Sequence, residues 1–272
     1  MLTFNTENME PQNFPFKPPV MDYIFKNAEP KHLIKLYQTC KFFYNKFRRN
    51  IILNLEMVAD GEDELFTPMK TIVRVSNPHL QKIKYFCITD SFVCRVLRFG
   101  EVIPLFSDYT VKKLDFCSIL LLKEFEILTN AGTIQELKIG RVYGSDNFLS
   151  VEDIISQVPN ATSIEISESC FNPTTCASLA SLNHKAKLSN FVLHNICDFR
   201  HFNISFISFI LKNAASDCNV RFDFKLYDGD DDSINGINEQ IKSIEAKYSD
   251  YISRVIKLPD LEKSELLREF ML

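Results

Sequence analysis

Along the middle of the chain an apolar-x-x-apolar-x-apolar signature recurs: Ile83/Phe86/Ile88, Val111/Leu114/Phe116, Ile134/Leu137/Ile139, Ala161/Ile164/Ile166 and Leu188/Phe191/Leu193. A sixth, weaker copy has Phe222 and Phe224 but Asn219 where the first apolar residue belongs. The second apolar residue of each copy stands at 86, 114, 137, 164, 191 and 222, so successive separations are 28, 23, 27, 27 and 31 residues. Alternation inside each copy predicts a short strand with one buried face. Between the copies the spacing turns helical, most clearly at Phe92/Val93/Val96/Leu97, Leu121/Leu122/Phe125/Leu128, Val151/Ile154/Ile155/Val158 and Phe206/Ile207/Ile210/Leu211. Ser150 followed by Glu152 and Asp153 reads as a helix start. Strand, helix, strand at this period predicts parallel strands joined by crossovers.

The residues between the apolar positions test the register. In a parallel arrangement Lys113 lies beside Glu136, and Asp115, Lys138 and Glu165 line up across three neighbouring strands with alternating sign. A slip of one residue would bury these charges, which is costly, so the polarity supports the assigned faces. Read as surface ion pairs alone, they are worth about 0 to 1 kcal/mol each.

With four of its five separations inside the range of about 20 to 29, this region resembles a degenerate leucine-rich repeat. The resemblance implies an arc of parallel strands that presents Lys113, Asp115, Glu136, Lys138, Glu165 and His194 on its concave face. The family's Asn or Cys at the ninth position is replaced by Ser91, Ile119, Val142, Ser169 and Ile196.

Ahead of the repeats, residues 14 to 50 form a different pattern. Val20, Ile24 and Phe25 share one helical face after the Pro18, Pro19 pair; Pro30 then punctuates the chain. Leu33, Leu36, Cys40 and Phe43 follow at spacings of three, four and three, one continuous apolar stripe. A module this small cannot bury enough surface alone, so its face needs the following domain or a partner.

These residues resemble the F-box, the helical module by which substrate receptors dock on the adaptor of a cullin-RING ubiquitin ligase. The match runs without a gap from Phe16 to Phe43. Val20, Met21, Ile24 and Phe25 fit its first helix, and Glu29 with Pro30 fits its acidic-Pro break. Leu33, Ile34, Lys35 and Leu36, then Cys40, Lys41, Phe42 and Phe43, fit its apolar and Cys-Lys-aromatic run. The family's usual Leu-Pro opening is Phe16 and Lys17 here, with prolines one and two places later. The resemblance implies adaptor contacts from Phe16, Pro18, Val20, Ile24, Leu33, Leu36 and Phe43, some of which must instead face the repeats.

Of the remaining chain, residues 1 to 13 lack periodicity and read as a loose arm, and 51 to 80 as a connector in which 71 to 75 forms a strand or ordered link. Residues 81 to 230 hold the repeats. Residues 231 to 272 read as a helical cap, with Ile234/Ile237/Ile241/Ile244/Tyr248 on one helix and Leu261, Leu266, Leu267 and Phe270 on a last one. The expected fold is α/β: a small helical module, a solenoid arc with parallel strands and a helical cap.

Composition narrows the partners. A chain of 272 residues, 46% hydrophobic and 24% charged, has enough apolar content for a sizeable core. Its balance of 31 basic to 35 acidic residues gives a net charge of -4, with no global attraction to nucleic acid or anionic membrane. No apolar run approaches the roughly 18 residues needed to span a bilayer, and no leader pattern is present, so a cytoplasmic or nuclear protein is expected. The eight cysteines, at 40, 87, 94, 117, 170, 176, 197 and 218, read as thiols within apolar runs.

Enzymatic motifs find little support. Seven glycines build no dinucleotide or phosphate loop, and neither a G-x-S-x-G elbow nor an H-E-x-x-H helix occurs. His194, Cys197 and His201 have partial zinc spacing, with Cys170 or Cys176 as a fourth ligand to complete it; packed or surface residues are the favoured reading. Asp228, Asp230, Asp232 and Glu239 occupy calcium-loop positions, but Ser233 replaces the required glycine and a strand-like segment precedes them. With 24 Phe and no Trp, the aromatics read as interior filling.

The sequence therefore points to a non-enzymatic receptor without metal or cofactor, bound to a ligase adaptor and through it a cullin, with a target protein on the arc. The alternative is a repeat scaffold unrelated to ubiquitin.

Overall fold

A computed structural model describes residues 17–47, 49–61, 70–80, 86–96, 108–117, 119–196 and 205–224, with positions 201, 236, 239, 242 and 256–257 besides. The described residues open with three helices, α1 (Pro18–Asn27), α2 (Pro30–Thr39) and α3 (Lys41–Phe47). Each of the first two begins with proline, whose fixed φ suits a first turn and whose missing N–H is unpaired there anyway. Extended backbone at Ala28 and at Cys40 ends them.

The rest is organised on one parallel sheet. Its strands are β1 (Asn50–Val58), β2 (Lys70–Arg74), β3 (Phe86–Cys94), β4 (Asp108–Tyr109), β5 (Lys113–Phe116), β7 (Glu136–Ile139), β9 (Ser163–Ile166), β10 (Leu188–Ile196), β11 (Ala214–Phe224) and β12 (Ile256–Lys257). The order is β12-β11-β10-β9-β7-β5-β3-β1-β2, with β4 also on β3. A separate two-stranded parallel sheet joins β6 (Leu120–Leu121) to β8 (Val142–Tyr143). Between strands run α4 (Leu122–Thr129), α5 (Val151–Ser156), α6 (Thr175–Ser181) and α7 (Ser205–Asn213).

From β3 onward, strands succeed one another along the sheet in chain order, all parallel, as the strand-helix-strand alternation predicts. Two inward rows cross the sheet. One is Leu55, Phe92, Leu114, Leu137, Ile164, Phe191 and Val220; the other is Met57, Cys94, Phe116, Ile139, Ile166, Leu193 and Phe222. Every member is at most 1% exposed. Phe125 and Leu128 of α4, Ile154 and Ile155 of α5, Cys176 and Leu179 of α6, and Phe206, Phe209 and Ile210 of α7 complete the same core. Around Phe191 the rings of Phe209, Phe206 and Phe222 stand at 5.6, 6.0 and 6.4 Å.

These rows correct the repeat register at both ends. Leu114 pairs with Phe92, not with a residue of the Phe86/Ile88 triplet, and Phe191 pairs with Val220, not Phe222. The anchors are then 92, 114, 137, 164, 191 and 220, separated by 22, 23, 27, 27 and 29 residues. The period is tighter than the sequence pattern implied. The reason lies in β3, where Thr89 and Asp90 oppose the single residue Leu53 of β1 between the pairs Ile52 with Ile88 and Asn54 with Ser91. This bulge separates two apolar triplets in one strand, and only the second aligns with β5.

Two expectations fail on the same ground. Phe92 and Val93, expected in a helix, belong to β3 because β1 and β5 take both of its edges, a constraint local spacing does not contain. Residues 50 to 58, read as module end and connector, form β1, in which Leu53, Leu55 and Met57 alternate with Asn54 and Glu56 after the apolar run at 51 to 53. β2 then lies outside β1, so the chain steps outward once before turning back to β3. The expected arm at 1 to 13 lies outside the described residues, as does the expected cap apart from helical positions at 236, 239 and 242 and the strand β12.

Candidate functional site

Because side chains alternate along a strand, the rows between the buried ones face away from the core. The first polar row is Asn54, Ser91, Lys113, Glu136, Ser163, Asn190 and Asn219; the second is Glu56, Val93, Asp115, Lys138, Glu165, Val192 and Arg221. The structure thus brings Lys113, Asp115, Glu136, Lys138 and Glu165 onto one face in the register expected of them. Lys113 Nζ stands 2.8 Å from Glu136 Oε2, and Lys138 Nζ 2.7 Å from Glu165 Oε1. Toward β11 the first row changes from charge to amide: Asn190 Nδ2 donates to Ser163 Oγ at 3.2 Å and Asn219 Nδ2 to Asn190 Oδ1 at 2.7 Å. Toward β1, Glu56 meets Lys70 and lies 3.3 Å from Arg95 Nε, whose Nη2 is 3.8 Å from Asp115. The face is a lattice of paired charges. It offers directional recognition with no dominant sign.

His194 shares this face. His194 and Asn195 of β10 oppose the single residue Asp223 of β11 between the pairs Leu193 with Phe222 and Ile196 with Phe224. Asn195 absorbs the surplus in the left-handed region, φ 48°, and is the one non-glycine residue there among those described. Its side-chain Nδ2 donates to Ser167 O at 3.2 Å. The ring of His194 consequently lies 2.5 Å from Asp223 Oδ2 through Nδ1 and 3.6 Å from Glu165 Oε1 through Nε2. Sequence reasoning placed His194 on the face but missed Asp223 and Arg221, because the copy containing them was read two residues out of register.

The helical module divides its apolar residues between two sides. Phe25 and Leu33 are 4% and 2% exposed, and the Phe25 and Phe43 rings stand 5.1 Å apart. Leu33 therefore belongs to the interior, and Leu36 and Phe43 are partly buried. Ile34, Tyr37, Gln38 and Tyr44 line a cleft shared with Asn50 and Ile51 of β1 and Phe86 of β3, so α2 and α3 sit against the start of the sheet. Lys31 Nζ reaches Asp90 Oδ2, in the β3 bulge, at 2.9 Å, and this contact raises the lysine pKa. On the other side, Val20, Ile24 and Tyr23 of α1 are 45%, 38% and 69% exposed, with Pro18 exposed beside them. Tyr23 was not among the residues singled out by sequence; Phe16 lies outside the described ones.

Titratable groups in the core serve packing. Burial pushes the Cys94 thiol up to about 12 and Cys218 up to about 11, which keeps both protonated and poorly nucleophilic. Burial likewise lowers the pKa of His184, whose Nε2 meets Ala161 O at 2.7 Å. Among the described residues no group of three His, Cys, Asp or Glu side chains is placed to hold a metal ion. Cys197 and the acidic run at 228 to 232 lie outside them. No described helix is long and apolar enough to cross a membrane.

No family model, curated protein or solved structure matches this chain.

Proposed function

We propose that this protein is a substrate receptor of a cullin-RING ubiquitin ligase in the cytoplasm or nucleus. Its F-box-like module would dock on the adaptor, and the polar face of a leucine-rich-like repeat arc would hold the target. The observation that carries this reading is the module's division of labour. Helices α2 and α3 are committed to the sheet, while Val20, Tyr23 and Ile24 of α1 leave an apolar face turned to water. An apolar helix face beside a motif-like Cys40, Lys41, Phe42 and Phe43 run fits a module built to be gripped. The repeat reading is supported by the chain-ordered parallel strands and by separations of 22 to 29 residues between aligned anchors. In this role the receptor does no chemistry: transfer follows from holding the target near a separate catalytic subunit.

Affinity capture of the full chain at endogenous level tests this. Recovery of the adaptor and cullin, lost in a Val20→Asp, Ile24→Asp double variant that keeps the wild-type melting temperature, is the expected result. Absence of the adaptor, or partners unchanged by the double variant, would sink the ligase role and leave an interaction scaffold.

A further inference from the structure

The net charge of -4 is an average over two unlike parts. Residues 17–49, which hold α1, α2 and α3, carry eight Lys or Arg against two acidic residues, a charge of +6, so the rest of the chain carries -10. An excess of this size in so short a stretch is a local field that the whole-chain figure conceals.

The cations of the two parts also differ in what they face. On the sheet, Lys70, Lys113 and Lys138 each stand against a carboxylate of a neighbouring strand. On the module, Lys31 has such a partner, Asp90, but that residue belongs to β3. Lys17, Lys26 and Lys35 are exposed and have no ion-pair partner among the described residues. Two of these lysines bracket the exposed apolar face of α1. Lys17, Val20 and Ile24 follow at spacings of three and four and form one stripe; Tyr23 and Lys26, three apart, form the stripe beside it. Phe25 lies on the opposite side, packed with Phe43, so α1 is held in the module and turns the bracketed face outward.

Three kinds of anionic partner meet such a face differently. A nucleic acid would answer the lysines with phosphates and leave Val20 and Ile24 without apolar cover. Affinity for an anionic bilayer scales with the apolar area inserted, and three side chains on a helix packed from behind offer little. A protein surface supplies both an apolar groove and carboxylates around it.

We propose that α1 docks on an acidic protein surface, in an apolar groove that takes Val20, Tyr23 and Ile24 and is edged by Asp or Glu side chains facing Lys17 and Lys26. The two parts of the contact act on different rates. Charges at the rim speed the encounter and are weakened by salt, whereas the apolar centre holds the complex once formed. This inference rests on α1 being a docking face, whichever protein it meets.

A photo-cross-linking phenylalanine analogue in place of Tyr23, in the full chain inside cells, identifies what lies on α1 without assuming its identity. The expected product is a protein cross-linked within a segment rich in Asp and Glu. With that protein purified, raising sodium chloride from about 0.05 to about 0.5 M should slow association about tenfold or more. At low salt, Lys17→Glu with Lys26→Glu should slow association by about the same factor and leave dissociation within about twofold of wild type, while Lys17→Arg with Lys26→Arg keeps the wild-type rates. Val20→Ala with Ile24→Ala should act the other way, through faster dissociation. Melting temperatures are measured on every variant; should the Glu pair not fold, Lys17→Gln with Lys26→Gln takes its place, with a smaller effect in the same direction. No cross-link, a cross-link to lipid or nucleic acid, a cross-linked segment without acidic residues, or association of the folded charge variant within about twofold of wild type would overturn the inference. An acidic protein other than the adaptor sinks the ligase role alone, whereas the adaptor cross-linked through an uncharged segment sinks this inference alone.

Discussion

The sheet and the helical module bury their apolar residues in opposite ways. In the sheet two complete rows of side chains vanish into one continuous core, backed by four helices. Among the described side chains of the module the most deeply buried apolar ones are Phe25 and Leu33, while Val20, Tyr23 and Ile24 remain in water. A body that closes its own core resists change from inside, and a module that leaves a face open is sensitive from outside. The same substitution should therefore have different consequences in the two places: lost stability in one, lost partnership in the other.

The largest effect expected is in the core. Phe191→Ala removes a fully buried ring that meets three other phenylalanines, and should cost about 3 to 5 kcal/mol by chemical denaturation. Phe25→Ala should cost less, because the module is packed on one side only. Equal losses would erase the contrast. Next comes the outer face of α1, where Val20→Asp with Ile24→Asp should reduce adaptor capture by tenfold or more while changing stability by less than about 1 kcal/mol. A large fall in melting temperature would show that this face is packed in solution.

A smaller effect follows from pH. The folded-state pKa of His184 lies below its ordinary 6.5, so the unfolded chain takes up the proton first. Its contribution to stability is complete above 6.5 and is lost as pH falls through the lower folded value. Urea unfolding of wild type and His184→Gln at about pH 7.5 and about pH 5.5 should show the wild type losing more. A parallel loss in both would remove His184 as the cause. The same burial predicts that Cys94 and Cys218 resist iodoacetamide in the folded protein and react only in denaturant. The smallest effect belongs to the surface lattice: Lys113→Ala should change stability by no more than about 1 kcal/mol, since both partners in the pair with Glu136 are half exposed.

The short strands were the legible part. In 113–116, 136–139 and 163–166 strict alternation fixes which residues face inward, and the opposing charges of Lys113 with Glu136 and Lys138 with Glu165 fix the register, since a slip would bury an ion. Helices α4, α5 and α7 were legible for a similar reason, each having one apolar face. The candidate face was legible where alternation held and illegible at β11. There the bulge at Asn195 and the long strand 214–224 offered several equivalent alternations.

What the chain alone determined, then, is the inside and outside of each element, because that depends only on residues a few places apart. Which of two apolar triplets in β3 meets β5, that β1 is a central strand and β2 the edge, and that Asp223 stands beside His194 were decided only by the assembled sheet. Each of these depends on which strand lies alongside, and a parallel neighbour arrives from sixteen or more residues away, carrying a register that no local window contains.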